Sequence, residues 1–321
     1  MSAQVLRIGT RASKLALWQA NRVAELIRAQ AGAPPVELVH IRTEGDARTE
    51  VPLWQVGGRA FFTREIDRAQ VAGTVDLAVH SLKDLSTTLE AGLELAAVLE
   101  REDPRDALLL RAPGTLESLA QGARVGTSSL RRRAFLARAR RDLTCLELRG
   151  NVPTRLERLA GGAYDAIVLA AAGVKRLGLQ AHISAYLPVE RFPPAVSQGA
   201  IAVVTRGADE ASARWVRSLD HRATHLATAA ERALLRRIEG GCQVPLGALA
   251  VLEGERLALA ATVCALDGAQ SIEVQGTAAL PAADALSGAR ALGERLGDEL
   301  IARGAAHLIQ AQRSARPPEG P

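Results

Sequence analysis

Apolar positions along the chain recur at two different periods, and the switches between them mark out its elements. LRIG reads as a short buried strand, LALWQANRVAELIRAQ carries apolar residues at helical spacing, and VELVHI returns to a strand. Between the first strand and helix lies GTRAS, a Gly-Thr turn with Ser13 available as a helix cap. The same order recurs in ARVGTSSLRRRAFL, residues 123–136: apolar strand, Gly-Thr, hydroxyl residues, amphipathic helix. VELVHIRTEGD (36–46) is echoed by LTCLELRGN (143–151), each a strand running into arginine and then glycine. GTVDLAVHSLKDL (73–85) is echoed by GAYDAIVLAAAGVKRL (162–177), each a Gly-x-x-Asp strand followed by a lysine-bearing segment. Offsets between the partners fall from 117 to 107 to 89, so the first copy carries extra residues, many of them in VPLWQVGGRAFFTRE (51–65). The pattern predicts two homologous α/β lobes, each a doubly wound open sheet with ligand loops at strand C-terminal ends, facing each other across a cleft.

Residues 1–99 form lobe 1 in this reading and 100–199 lobe 2, with the acidic stretch EREDPRDALLL as the hinge between them. AVSQGAIAVV is a strand whose continuation, VVTRGADEASARW, turns 200–217 into a return segment toward lobe 1. From about 218 the pattern changes to a helix (ATHLATAAERALLRRIEG), strands (GALAVLE, RLALAATVCAL, SIEVQGTAAL) and a final helix (ADALSGARALGERLGDELIARGA). That is a smaller C-terminal α+β domain spanning 218–321, ending in a disordered tail, RSARPPEGP.

Composition fits this division. The chain has 321 residues, long for one core, and is 48% hydrophobic but 3% aromatic, so its cores are built from Leu, Val, Ile and Ala. No run of about twenty apolar residues occurs, and MSAQVLRIGTRAS lacks an apolar signal region, which points to a soluble cytoplasmic protein with no membrane partner. The three cysteines, Cys145, Cys242 and Cys264, are an odd set without CxxC spacing, so neither a disulfide framework nor a metal site is expected.

Forty basic against 35 acidic residues give a net charge of +5, and the positions of these cations say more than their number. Arg11 lies in the first Gly-Thr turn, Lys83 in HSLKD, and Arg131 and Arg132 open the second lobe's helix. Arg149 and Arg155 bracket RGNVPTR, and Arg176 follows the last matched strand. Strand ends and helix starts are where backbone N–H groups already favour an anion, and arginine adds paired donors of carboxylate geometry. A polyanionic ligand is expected. Nucleic acid is not, because the arginines are not interleaved with aromatics and no nucleic-acid-binding motif appears.

Amid this positive charge sits Asp84, a carboxylate suited to stabilising positive charge developing on a substrate. His80, inside an apolar strand, reads as a satisfied core residue. Cys145 and Cys264 lie in apolar strands and read as buried and inert. Cys242 does not: two glycines precede it in EGGCQVPLG, leaving room for close approach, and nearby arginines favour its thiolate.

RIGTRASKLALWQA, TEGD, VDLAVHSLKDL, EREDPRDA, VGTSSLRRRAFL, LRGNVPTRL, YDAIVLAAAGVKRLGL, QGAIAV and EGGCQVPLG follow one another in an order that resembles the porphobilinogen deaminase (hydroxymethylbilane synthase) family over essentially the whole chain. The resemblance implies two periplasmic-binding-protein-like lobes and a third domain carrying a dipyrromethane cofactor, joined by a thioether to Cys242. It implies a monomeric transferase of haem biosynthesis that adds four porphobilinogen molecules head to tail, each losing ammonia, and releases hydroxymethylbilane. Every pyrrole carries an acetate and a propionate, so the arginines gain a purpose. Matching positions make Lys83, Arg131, Arg132, Thr127, Ser128 and Ser129 cofactor-binding and Arg11, Ser13, Arg149, Arg155 and Arg176 substrate-binding. Asp84 matches the catalytic aspartate, which stabilises an azafulvene cation, and VPLWQVGGRAFF matches a mobile loop.

Four positions in three motifs depart from the family pattern. Pro153 stands where glycine is expected, Ala60 and Phe61 where Gly-Leu is, and Ser86 where proline is usual. They put loop mobility and the backbone setting of Arg155 in question. The alternative from another class is a two-lobe binding or sensor protein for an acidic small molecule, which would have no need of an attachment cysteine.

Overall fold

The structure, a computed structural model, describes residues 5–43, 45, 63–238 and 244–314. Its described residues divide into two compact units, one drawn from 5–102 and 199–225 and the other from 103–198 and 226–314. Elements are numbered along the chain.

The first unit contains β1 (Leu6–Thr10), α1 (Lys14–Arg28), β2 (Val36–His40), α2 (Arg64–Val71), β3 (Leu77–Ser81) and β4 (Leu93–Val98). It is completed by β10 (Ile201–Arg206) and α6 (Glu210–Arg217). The sheet order is β2-β1-β3-β10-β4; β1, β2 and β3 run parallel, and β10 inserts antiparallel between β3 and β4. Both faces are covered, which explains why LAVHS and IAVVT read as unbroken apolar runs. Leu77, Val79, Ile201 and Val203 pack with Ala20, Val23 and Ile27 of α1. Ala78, Ala202 and Val204 point the other way, onto Ile66 of α2.

The second unit repeats that sheet. It has β5 (Asp106–Leu110), β6 (Arg124–Gly126), α3 (Leu130–Ala139), β7 (Thr144–Leu146), α4 (Val152–Ala160), β8 (Ala166–Ala170), α5 (Ala171–Arg176) and β9 (Ala185–Tyr186), in the order β7-β6-β8-β5-β9. The repeat holds at the level of register. Ile8 pairs with Leu38 and with Leu77, as Val125 pairs with Cys145 and with Ala166, so the offsets of 117, 107 and 89 are those of paired strands. It extends to side chains. Arg7 donates from Nε and Nη2 to Asp76 at 3.0 and 2.8 Å and from Nη2 to Gly73 O at 2.8 Å. Arg124 does the same to Asp165, at 3.3 and 3.2 Å, and to Gly162 O at 2.9 Å. The Gly-x-x-Asp signature is thus a turn glycine at positive φ followed by an aspartate that clamps the neighbouring strand's first arginine.

The rest of the second unit is an antiparallel sheet of β11 (Leu246–Glu253), β12 (Arg256–Cys264) and β13 (Ser271–Ala279), packed with α7 (Arg222–Arg237), α8 (Ala285–Ala302) and α9 (Ala305–Ser314). Leu257, Leu259, Ala261 and Val263 face Leu292, Leu296 and Leu300 of α8 and Leu234 of α7. Cys264 is fully buried against α3, its thiol pointing to Ala134 O at 3.7 Å. Cys145, expected to be buried, is only half-buried because β7 is a sheet edge.

Two of the family departures have a local account. Pro153 lies in the first turn of α4, where backbone N–H groups have no intrahelical partner and a proline removes nothing. Asn151 caps that helix, its Oδ1 accepting from Thr154 N at 3.0 Å, and Arg155 N donates to Asn151 O at 3.0 Å. Ser86 follows Leu85 at φ −81°, ψ 134°, the extended setting that also precedes proline, and its Oγ accepts from Thr88 N at 3.3 Å. Ala60, Phe61 and the whole of the expected mobile loop, 51–62, lie outside the described residues.

Helices α7 and α8 approach closely because α8 offers glycine at the contact. A Cβ at Gly293 would run into the Ala230 carbonyl oxygen and sit 2.9 Å from Ala233 Cβ. Gly293→Ala is therefore expected to lower stability by about 1–3 kcal/mol, against a helix-propensity gain of about 1 kcal/mol. Urea unfolding checks this, and an unchanged or raised midpoint would contradict the tight contact.

Candidate functional site

In the first unit, functional side chains come from the C-terminal ends of β1 and β3 and the start of α1. Ser13 caps α1, its Oγ accepting from Ala16 N at 3.3 Å, and this leaves Arg11 in the turn beside it. Gln19, buried on α1, donates from Nε2 to Ser81 Oγ at 2.8 Å and so ties the helix to the end of β3. After Ser81 the chain makes a single 3₁₀ turn, Leu82–Asp84, pinned by Leu82 N donating to Ala200 O at 3.0 Å. An open pocket with about 80 Å³ of room results, bordered by Arg11, Ser13, Gln19, His80, Ser81 and Asp84.

Residues expected from two separate motifs, Arg11 and Ser13 of GTRAS and Asp84 of HSLKDL, therefore share one pocket. Asp84 is exposed, and Lys83 is half-buried in the same turn without bordering the pocket. Gln19 and Ser81 were not singled out by sequence. The available signal was spacing, since Ser13, Ala16 and Gln19 recur every third residue along α1 and all border the pocket. His80 differs from its expected role. It is 6% exposed, yet its Nε2 has no hydrogen-bond partner among the described residues. Burial, and then the Arg11 charge, push its pKa down to about 4, so the imidazole is neutral at physiological pH.

In the second unit the cations gather around one acid. Asp106, fully buried at the start of β5, accepts from Arg131 Nη2 at 2.7 Å, from Arg132 Nη2 and Nε at 2.8 and 3.1 Å, and from Gln198 Nε2 at 2.9 Å. The two guanidiniums also donate to backbone oxygens, Arg131 to Pro193 at 2.7 Å and Arg132 to Val168 at 3.0 Å. Burial opposes ionisation of Asp106, but the two arginine charges and these hydrogen bonds outweigh it and hold its carboxyl well below the usual range. Arg131 and Arg132 are 4% and 8% exposed, and Asp106, within the stretch expected to be an acidic hinge, is the residue that pairs them.

The hydroxyls of the second Gly-Thr turn build the loop. Thr127 Oγ1 accepts from Ser129 N at 3.2 Å, Ser129 Oγ caps α3 by accepting from Arg132 N at 3.4 Å, and Ser128 Oγ donates to Leu148 O at 2.5 Å. That last bond ties the turn to the residue before Arg149. Arg149 is 9% exposed, and burial pushes its pKa down while Glu147 opposes the shift. Arg155 donates from Nε to Gly150 O at 2.8 Å, and Arg176, also 9% exposed, ends α5. Cys242 lies outside the described residues.

This set fits a polycarboxylate such as dipyrromethane. Two buried guanidiniums share one carboxylate, which leaves an excess positive charge, and Arg131 Nε is buried without a hydrogen-bond partner among the described residues. Removing Asp106 would leave both cations unpaired, so Asp106→Asn is expected to cost about 3–5 kcal/mol at pH 7. Because the folded-state pKa of Asp106 is depressed, its contribution is complete above the unfolded value near 3.9 and fades as pH falls below it. The gap between wild-type and Asp106→Asn urea midpoints should accordingly narrow on acidification from pH 7 to pH 3. A gap that stayed constant would contradict the pairing.

Comparison with known proteins gives this geometry its context. A nutrient binding protein from Burkholderia cenocepacia, solved bound to methionine, overlaps 66% of this chain and 89% of its own at 14% identity and a TM-score of 0.43, a distant likeness. The porphobilinogen deaminase of Pelobacter propionicus is 44% identical over 314 residues, covering 97% of this chain and 98% of that one. Those of Geotalea daltonii and Geobacter metallireducens are each 45% identical over 313 residues, covering 97% and 96% of this chain and 96% and 95% of their own. Residues 6–214 match the family model described as "Porphobilinogen deaminase, dipyromethane cofactor binding domain", and 225–302 match "Porphobilinogen deaminase, C-terminal domain". With both domains matched in order and relatives this similar along nearly its full length, the chain belongs to the porphobilinogen deaminase family.

Proposed function

We propose that the Asp84 pocket is where porphobilinogen loses its amino group, and that the second unit's arginines hold carboxylates of the growing tetrapyrrole. One observation carries the reading: an exposed carboxylate from the end of β3 and a guanidinium and capping serine from the turn before α1 border one pocket. Arg11 and Ser13 bind the substrate's acetate or propionate, a bidentate donor beside a helix N-terminus. Asp84 accepts from the pyrrole N–H, so that its negative charge opposes the positive charge that develops as ammonia departs, and it can then take up or return a proton. Gln19 keeps α1 and the end of β3 in register, and with them Arg11 and Asp84.

Dipyrromethane, when bound, supplies the pyrrole to which the first substrate is coupled. Cys242 would attach it, Lys83, Arg131, Arg132, Thr127, Ser128 and Ser129 would hold it, and Arg149, Arg155 and Arg176 would take the carboxylates of later units. The work divides along the lobes, with 1–99 carrying the aspartate, 100–199 the arginines and 218–321 the cysteine. In the same reading the chain acts as a cytoplasmic monomer. A sensor for an acidic small molecule is not favoured, since the family match includes a cofactor-binding domain.

Intact mass spectrometry and turnover together test this. The purified protein should exceed its sequence mass by two linked pyrroles, and Cys242→Ala should abolish the increment. Asp84→Asn should keep the increment while losing turnover by about 100-fold or more. An unmodified active enzyme would overturn the attachment, and near-normal turnover of Asp84→Asn would remove Asp84 from its role.

A further inference from the structure

The two lobes share a frame, so each polar residue in one can be compared with what the other lobe puts in the same place. His80 lies on β3, pairing with Ala202 of β10, and the equivalent residue of β8 is Leu169, pairing with Ala107 of β5. Leu169 is 2% exposed and packs into an apolar core with Ile167 and Val174. The sheet therefore accepts an apolar side chain at this position. The first lobe instead buries an imidazole whose Nε2 has no partner among the described residues, which costs stability.

That imidazole borders the pocket shared by Arg11, Ser13 and Asp84. We propose that His80 is a further substrate-contacting residue, its neutral ring accepting a hydrogen bond from the aminomethyl nitrogen that leaves as ammonia. The assignment follows from the groups that the substrate brings. Its carboxylates need cations, which Arg11 supplies, and its pyrrole N–H is taken by Asp84, so the remaining donor is the aminomethyl group. A neutral ring in this position accepts N–H without adding a second cation next to the ammonium, and burial beside Arg11 keeps the ring neutral.

The inference rests on reading the Asp84 pocket as the substrate site, and the experiment separates the two. His80→Leu, copying the second lobe, should melt no lower than wild type while kcat/KM falls about 10- to 100-fold. His80→Gln, which restores an acceptor, should recover part of that loss. A pyrrole carrying the same acetate and propionate but a methyl in place of the aminomethyl group should inhibit wild type and His80→Leu equally. Asp84→Asn is measured alongside. Normal kcat/KM in His80→Leu with an inactive Asp84→Asn would overturn the inference alone, whereas an active Asp84→Asn would overturn the pocket reading itself. A lower melting temperature in His80→Leu with unchanged kcat/KM, or weaker inhibition of that variant by the methyl analogue, would also overturn the role given to His80.

Discussion

The carboxylate of Asp106 is the constraint on which the second unit's proposed anion-binding face depends. Arginine is seldom buried without a partner, because desolvating a charge costs several kcal/mol. Asp106 lets the chain bury two arginines side by side at the start of α3, and Gln198 holds the same carboxylate from another strand connection. The pairing is incomplete in charge. One carboxylate among two guanidiniums leaves a positive site that is already desolvated, so an arriving carboxylate meets a field little weakened by water. A surface patch with the same number of arginines would be screened and floppy.

The same sheet built twice gives two chemistries because the polar residue sits on a different strand in each copy. In the second lobe it is Asp106 on β5, whose counterpart in the first lobe is Ile201 on β10. In the first lobe it is His80 on β3, whose counterpart is Leu169 on β8. The Arg-Asp-Gly clamps, Arg7 with Asp76 and Arg124 with Asp165, hold the common frame in both. One lobe is thereby suited to holding negative charge, and the other presents a neutral ring and an exposed carboxylate to a pocket.

Much of this was legible in the sequence, since strand pairing preserves spacing. Offsets read from Gly-Thr and Gly-x-x-Asp motifs turned out to be those of the register, and Arg11, Ser13 and Asp84 could be picked by motif. Gln19, Ser81 and Asp106 could not. Their roles depend on which side chain lies across a strand or helix boundary, and the one local signal was the every-third-residue spacing that joins Gln19 to Ser13 and Ala16. His80 departs from the expectation of a satisfied core residue because an apolar strand says where a side chain is buried but not whether its Nε2 finds a partner. Cys145 was misplaced for a related reason, since apolar spacing does not reveal that β7 is the edge of its sheet. Pro153 looked like a disturbance only until the start of α4 was fixed by Asn151.

On this view the second unit carries a buried positive site that the carboxylates of the tetrapyrrole complete. A crystal structure of the cofactor-loaded enzyme tests it most directly. A ligand carboxylate oxygen is expected within hydrogen-bond distance of Arg131, at the Nε that has no partner among the described residues, with Asp106 still bridging Arg131 and Arg132. A fully loaded enzyme in which no ligand oxygen approaches either arginine, or in which Asp106 has released them, would contradict it.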